Sequence, residues 1–585
     1  MGYTRSGCSS RTVYWVIGSV LLFLHVPLLA AKERRDDDLD SSFLRPVTAP
    51  PPKPSYKDEG PPQGFDLPPV PAEQSPNLSQ IADLYVKRIV FEGCTVFAPE
   101  ELAKLAAPHE GRLNSVAELE DLRQELTRLY VGNGYINSGA VIPKGGLVDG
   151  VLTFRMVEGK LTEIRVRGLE RLREAYVSGR LEGDKDEPLN RPELQNRFQQ
   201  LLSDPLIGRM NARLLPGSAP GQSVLDLDVV RARPYHLSIS GDNYRPPRIG
   251  AEGFGLSGWV RNLTGFGDML DFSYATSYAS EMYSGGFSVP FTARGSEAFV
   301  RFYEGESYVY DSLFQALGAP TSRVHSLEGG ISHPVINRVD MRLNLGLSLA
   351  VRENETSLGD LPFSFIESQN LFDGRNQATV WRLSQEYLQR FARQAVSFRS
   401  TFNVGMNALG ATKETNKKYA DGEYFSWLGQ AYYTYQAMDN GAQLVMRGNL
   451  QFSNDHLLPL EQFSIGGVYS VRGYRENTLV RDEGYNFTLE FQYPILGEGI
   501  NAPNRLVLIP FVDYGRAWNH GAANNIVFSN RPYEEMYSAG VGVNWALKPL
   551  SADFYWGHAF KPAPTRSYDD LQDDGIHFQV RLDIL

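Results

Sequence analysis

Arg342-Leu-Asn-Leu-Gly-Leu-Ser-Leu-Ala-Val351 carries a large apolar side chain at every second position, with only Arg, Asn, Gly, Ser and Ala between. A period of two puts successive side chains on opposite faces of a β-strand. The alternation returns at Leu270, Phe272, Tyr274 and Tyr278 against Asp271, Ser273 and Ser277. It returns again at Tyr485, Phe487, Leu489, Phe491 and Tyr493 against Asn486, Thr488, Glu490 and Gln492, and at Val541, Val543 and Trp545 against Gly540, Gly542 and Asn544. A soluble sandwich would fill its outer faces with Lys and Glu. Here the polar faces hold mostly Gly, Ser, Asn and Gln with occasional Arg, which suits a wet lumen inside a lipid-facing wall. A bilayer forbids open sheet edges, so the strands must close on themselves. Residues 234–585 supply about 350 residues; at roughly 22 per strand and connection this gives about 16 strands, enough for an aqueous channel unless something fills it.

The composition agrees. Among 585 residues, 30 Tyr and 31 Phe are many for a chain whose mean hydropathy is −0.30. That mean, with a single long apolar run, excludes a polytopic helical membrane protein. Two Cys exclude a disulfide scaffold or Cys-rich zinc module, and a net charge of −11 argues against nucleic acid as the main partner. Gly253-Phe-Gly255-Leu-Ser-Gly258 fits G-x-G-x-x-G, but it lies among strands with no capped helix after it. No H-E-x-x-H, P-loop or Cys-x-x-Cys occurs, and the nine His are scattered. No catalytic residue, metal site or cofactor is expected, and the chain does not read as an enzyme.

At the other end, Arg5 and Arg11 precede an apolar run from Val13 to Leu29, followed by Ala30-Ala31 and Lys32-Glu-Arg-Arg-Asp36. Residues 1–31 therefore read as a secretory signal peptide, with a membrane anchor as the alternative. Its removal would leave Cys94 as the one thiol, expected to be a buried small apolar residue. Residues 32–80 are proline-rich, with 11 of the 35 prolines between Pro46 and Pro76. They are expected to be an extended linker; a segment that plugs a pore is the alternative.

Two α+β units follow, 81–159 and 160–233. In the first, Tyr85–Phe91 reads as a strand, Pro99–Leu105 as a helix, and Ser115 with Glu118 as a capping box for a helix whose face is Leu119, Leu122, Leu126 and Leu129. Strands are expected at Asn137–Ile142 and Val151–Val157. The order then repeats. Ile89-Val-Phe91-Glu-Gly93 returns as Ile164-Arg-Val166-Arg-Gly168, and Asn190 with Glu193 starts a helix faced by Leu194, Phe198, Leu201 and Leu202. A small three-stranded sheet leaves a free edge on which an extended peptide could pair; both units could equally be rigid spacers.

Between two barrel strands lies a long polar loop, about 453–484, holding Ser464-Ile-Gly-Gly-Val-Tyr-Ser-Val471-Arg472-Gly473-Tyr474. Downstream stands Phe511-Val-Asp513-Tyr-Gly515, where alternation with Leu508, Pro510 and Val512 turns Asp513 to the lumen. An arginine inside a pore needs an acid, and a guanidinium can hold a carboxylate with two hydrogen bonds. Gly466, Gly467 and Gly473 suit a tight turn against the wall. These residues resemble the signature of the polypeptide-transporting barrel superfamily that includes BamA. The resemblance implies a loop motif of Gly466, Gly467, Val471, Arg472, Gly473 and Tyr474, folded back onto a barrel-wall partner of Phe511, Asp513 and Gly515. With two units resembling POTRA domains, the chain is similar over about 84–585 to the transporter half of two-partner secretion systems, the hemolysin and hemagglutinin exporters. Asp242-Asn243 and Asn262-Leu-Thr-Gly-Phe-Gly-Asp268 also look like family positions.

The fold implied is a transmembrane antiparallel β-barrel of about 16 strands preceded by two α+β POTRA-like domains. The activity implied is export of an unfolded partner exoprotein from periplasm to cell surface, with cargo docked on the POTRA-like domains. The location implied is the bacterial outer membrane and its lipid. Gly575, Phe578 and Val580 resemble a barrel-assembly signal, which implies contact with the assembly machinery during biogenesis. The alternatives are an outer-membrane insertase of the same superfamily, which usually has three to five modules, and a passive porin.

Overall fold

The computed structural model describes residues 65–66, 83–183, 187–309, 318–364, 373–416, 419–497, 502–521, 534–561 and 569–585. The expected signal peptide and most of the proline-rich segment lie outside these residues. Two residues of that segment form strand β1 (Phe65–Asp66).

The first unit holds β2 (Leu84–Val86), β3 (Arg88–Glu92), α1 (Pro99–Ala106), β4 (Arg112–Asn114), α2 (Val116–Gly132), β5 (Gly139–Val141), β6 (Leu147–Val148) and β7 (Val151–Val157). Helix α2 begins where Ser115 Oγ accepts from the Glu118 amide at 3.2 Å and the Glu118 carboxylate accepts from the Ser115 amide at 2.7 Å. Both contacts satisfy amides that the first turn leaves unpaired. The helix buries Leu119, Leu122, Leu126 and Tyr130 in one core with Leu152, Phe154 and Met156 of β7. Strand β7 pairs parallel with β3 and antiparallel with β5, which leaves β5 at the edge with Val141 and the following Ile142 exposed. Cys94 is half-buried, and its sulfur accepts from the Tyr130 hydroxyl at 3.1 Å.

The second unit holds β8 (Lys160–Arg167), α3 (Glu174–Leu181), α4 (Arg191–Leu202), β9 (Ile207–Pro216) and β10 (Gln222–Arg231). Asn190 caps α4 by accepting from the Glu193 amide at 3.3 Å. Leu194, Phe198 and Leu201 pack on Leu225, Leu227 and Val229 of β10. This sheet differs from the three strands expected, because β1 pairs parallel with the outer strand β9, at Ala212 and Arg213. Residues 32–80 are thus not linker throughout. The pairing falls within the short proline-free stretch between Pro62 and Pro68, where every residue keeps the amide a ladder needs.

The two units and the barrel interlock. Asn137 Nδ2 of the first unit donates to Gly221 O at 3.3 Å and Ser223 Oγ at 3.0 Å in the second. The second unit sits on the barrel's nearest turn, Asn262–Asp268. There the Arg173 amide donates to Gly265 O at 3.1 Å, and the Arg173 guanidinium lies 3.6 Å from the Phe266 ring centroid. The turn is shaped from within, by Asn262 Oδ1 accepting from the Gly267 amide and Asp268 accepting from the amides of Leu263 and Thr264.

The barrel begins with β11 (Tyr235–Asp242), β12 (Gly253–Arg261), β13 (Met269–Ser277), β14 (Ser280–Pro290) and β15 (Glu297–Tyr308). It continues through β16 (Pro320–Asn337), β17 (Met341–Leu358), a short side strand β18 (Leu361–Pro362), β19 (Arg375–Arg390), β20 (Gln394–Met406), β21 (Phe425–Gln436) and β22 (Gln443–Ser453). Two small strands, β23 (Phe463–Ile465) and β24 (Leu479–Arg481), stand apart from the wall. The wall resumes with β25 (Glu483–Leu496), β26 (Asn504–Trp518), β27 (Glu534–Leu547), β28 (Leu550–Ala559) and β29 (Ile576–Asp583). All neighbours run antiparallel, and β29 returns to β11 from Ser238↔Asp583 to Asp242↔Gln579, closing a 16-strand barrel. Asn243 clasps this seam: its side chain donates to Ile576 O at 2.9 Å and accepts from the Phe578 amide at 2.8 Å.

Outward positions such as Phe272, Leu347, Phe487, Val512 and Trp556 are exposed for lipid, while inward polar side chains pair across strands. Gln430, Asn449 and Asn486 form one such ladder across β21, β22 and β25, with contacts of 3.0 and 2.9 Å. Gly253–Gly258, the G-x-G-x-x-G match, is part of β12.

Phe198 is fully buried in the second unit. Phe198→Ala is expected to cost about 3–5 kcal/mol. Limited proteolysis of the full chain in detergent should then cut within 160–232, while the barrel keeps its heat-modifiable mobility on gels.

Candidate functional site

The chain between β22 and β25 folds back and fills part of the lumen. Strands β23 and β24 pair with each other. Their side chains Phe463, Ile465 and Leu479, with Val471 and Tyr474, form an apolar cluster against Leu428, Ala517 and Met536 of the wall. Each fully buried large apolar side chain contributes about 1.5–3 kcal/mol toward the folded-back loop, against the entropy of ordering it. The turn at its tip needs left-handed backbone, with φ of 109° at Gly466 and 96° at Gly467. Ser470 Oγ accepts from the Gly466 amide at 2.9 Å, and the Glu476 carboxylate accepts from the Val468 amide at 2.7 Å. A Cβ at Gly467 would stand 2.0 Å from the Glu476 carboxyl carbon.

Arg472 follows the turn and is 1% exposed, against a fully buried Asp513. Arg472 Nε and Nη2 donate to the two oxygens of Asp513 at 2.8 Å each, and the Arg472 amide adds a contact of 3.0 Å. The third nitrogen, Nη1, donates to Glu490 Oε1 at 2.8 Å, and Arg447 Nη2 donates to that same oxygen at 2.6 Å. The guanidinium lies 3.5 Å from the Phe511 ring centroid and 5.1 Å from that of Tyr555. The position is therefore defined on the arginine's edges by acids and on its face by an aromatic ring.

Sequence reasoning named Asp513 and missed Glu490, Arg447 and Tyr555. Glu490 does lie on the polar side of the Tyr485–Tyr493 alternation. Its approach to Arg472 depends on the register that sets Thr488 beside Asp513, which no single-strand pattern contains.

The other named residues take separate places. Gly473, at φ 87°, passes so close to β28 that a Cβ would meet the Gly557 carbonyl oxygen at 2.8 Å. Tyr474 donates its hydroxyl to Tyr537 O at 3.2 Å. A Cβ at Gly515 would be 2.9 Å from Val471 Cγ2, so the absence of a side chain there seats the loop. Gly575, at φ 75°, presses on the same Gly557 carbonyl, which a Cβ would meet at 1.9 Å. Phe578 and Val580 lie on β29 opposite Phe554 and Ala552, away from the loop. Arg475 completes the tip by binding Asp573 through two contacts of 2.7 and 2.6 Å. Among the described residues no group of three His, Cys, Asp or Glu could hold a metal ion. What the arrangement does is fasten the loop to the inner wall through charge and apolar contact together.

Removing one partner of a buried ion pair leaves an uncompensated charge, a local cost of about 3–5 kcal/mol. Asp513→Asn is thus expected to loosen the loop. Protease added to intact cells should cut within 454–482 in this variant and spare the parent, with the barrel still inserted.

The model of the family described as haemolysin secretion/activation protein ShlB/FhaC/HecB matches residues 221–545, and that of the ShlB-type POTRA domain matches residues 84–159. The outer membrane transporter CdiB of Dickeya dadantii is 26% identical over 483 residues, covering 80% of this chain and 81% of that protein. The hemolysin transporter protein ShlB of Serratia marcescens is 25% identical over 439 residues, covering 70% and 72%. Among solved structures, CdiB from Escherichia coli superposes with a TM-score of 0.67 at 19% identity, covering 88% of this chain and 94% of that one. BamA from Haemophilus ducreyi lacking POTRA domains 1–3 gives a TM-score of 0.50 at 14% identity, covering 86% and 100%. The two superpositions concern the fold alone. The family match spans more than half of the chain, which therefore belongs to the ShlB/FhaC/HecB haemolysin secretion/activation proteins and is an outer-membrane transporter of two-partner secretion.

Proposed function

We propose that an unfolded partner exoprotein docks by its N-terminal region on the two periplasmic units at 84–232 and threads the barrel once the loop around Arg472 shifts. It then folds at the cell surface. The observation that carries this reading is the buried contact of Arg472 with Asp513 and Glu490, which seats the loop inside a polar lumen. A passive porin has no use for such a loop. The short edge strand β5, with Val141 and Ile142 exposed beside it, supports docking by backbone pairing, in which affinity comes from main-chain hydrogen bonds and depends little on cargo sequence. The amide ladder along β21, β22 and β25 gives this part of the lumen a polar lining, which supports passage of an extended chain with backbone groups of its own to satisfy.

Direction comes from folding of the cargo outside, which removes the unfolded form from the equilibrium. The relative ShlB is named a hemolysin transporter protein, and HuxB of Haemophilus influenzae, 22% identical over 461 residues, a heme/hemopexin transporter protein; for this chain the corresponding cargo is a large secreted exoprotein. Gly575, Phe578 and Val580 near the end of the barrel serve its recognition by the assembly machinery.

Arg472→Ala is expected to lower secretion of the co-expressed exoprotein strongly while the barrel still reaches the outer membrane. Normal export by this variant refutes the gating step. Export by a chain lacking 84–232 refutes the docking step and leaves the gate intact.

A further inference from the structure

We propose that Glu461 is a second latch of the plug loop, opposite in charge to Arg472 and fastened to a different arc of the wall. This rests on the reading of the loop as the gate. Glu461 ends the short 3-10 turn Pro459–Glu461 on the limb leading from β22 to β23. Its carboxylate is buried and faces across the lumen. It accepts from Arg352 Nη1 of β17 at 2.8 Å and from Arg382 Nη2 of β19 at 3.0 and 3.2 Å. Arg352 Nη1 also donates to Leu460 O at 2.5 Å, so the turn itself is gripped as well as its side chain. Gln451 of β22 donates to Glu461 O at 3.0 Å. Arg382 Nη1 lies 3.4 Å from Glu328 Oε2 of β16. Strands β20, β21 and β22 separate this anchorage from the β25–β26 arc that holds Arg472.

The two anchor points are electrostatic mirror images. With the loop in place each cluster is balanced. If the loop leaves, Arg352 and Arg382 face the single carboxylate of Glu328, and this arc gains a positive charge. On the other arc, Asp513 and Glu490 are left with Arg447, and that arc gains a negative one. The loop thus carries a carboxylate and a guanidinium, and the wall holds a complementary site for each. Release breaks the charge-assisted hydrogen bonds of both arcs and leaves each wall with a net charge, and both effects oppose it. A passing polypeptide carrying both acidic and basic side chains can neutralise each site as the loop departs, so opening is favoured by cargo and disfavoured without it.

The test uses the purified full-length protein in planar lipid bilayers, with heat-modifiable mobility confirming a folded barrel for every variant. Glu461→Gln is expected to raise the fraction of time spent open several-fold and to shift ion preference toward anions. Arg472→Gln should also raise it and shift preference toward cations. Glu461→Asp, which keeps the charge, should stay near the parent. Adding Arg382→Gln to Glu461→Gln should return the ion preference toward the parent with little further opening, because the pair is already broken. Should Glu461→Gln fail to fold, Arg382→Gln reads the latch from the wall side and should open the pore more often than the parent. An unchanged open fraction in Glu461→Gln, or equal opening by Gln462→Ala, overturns the proposal. Opening by Glu461→Gln with undiminished and unaltered secretion leaves the latch standing and refutes the loop as the gate.

Discussion

A guanidinium removed from water inside a membrane-spanning pore must be matched, and nearly everything distinctive in this chain serves the matching of Arg472. Two carboxylates take three of its nitrogens, and a phenylalanine ring covers one face. The loop that delivers it buries five apolar side chains against the wall and turns at two left-handed glycines. The ion pair and the seated loop depend on each other: the charge can be buried because the loop is seated, and Asp513 and Glu490 are what its guanidinium meets there.

The barrel supplies that waiting site through its register. Strands β25 and β26 set Thr488 beside Asp513 and Glu490 beside Phe511, so one arginine reaches acids from two strands. The bilayer demands closure because it offers backbone groups no partners, and closure in turn fixes every inward side chain relative to its neighbours. A polar lumen is then held as a network of paired amides and charges that positions the loop.

Much of this was legible in the sequence. Period two in Arg342–Val351 and Tyr485–Tyr493 separates lipid from lumen, and the Ser115–Glu118 pair starts its helix where the capping rule puts it. Asp513 was assignable to the lumen from its own strand. What was hidden is whatever depends on two or more strands at once. Glu490 reads as one polar residue among several until register brings it to Arg472, and Glu461 reads as an ordinary loop acid until β17 and β19 approach it. The pairing of Phe65–Asp66 with β9 was equally invisible, since two residues carry no period and the surrounding prolines speak for an unpaired segment.

Gly473, Gly557 and Gly575 converge where the loop, the last hairpin and the approach to β29 touch. The fit there is main chain on main chain, with no side chain to rotate aside and absorb an error. Such a joint has no slack: one added methyl on any of the three acts as a wedge between backbones. The constraint at all three positions is imposed by a lack of atoms and not by any chemical group.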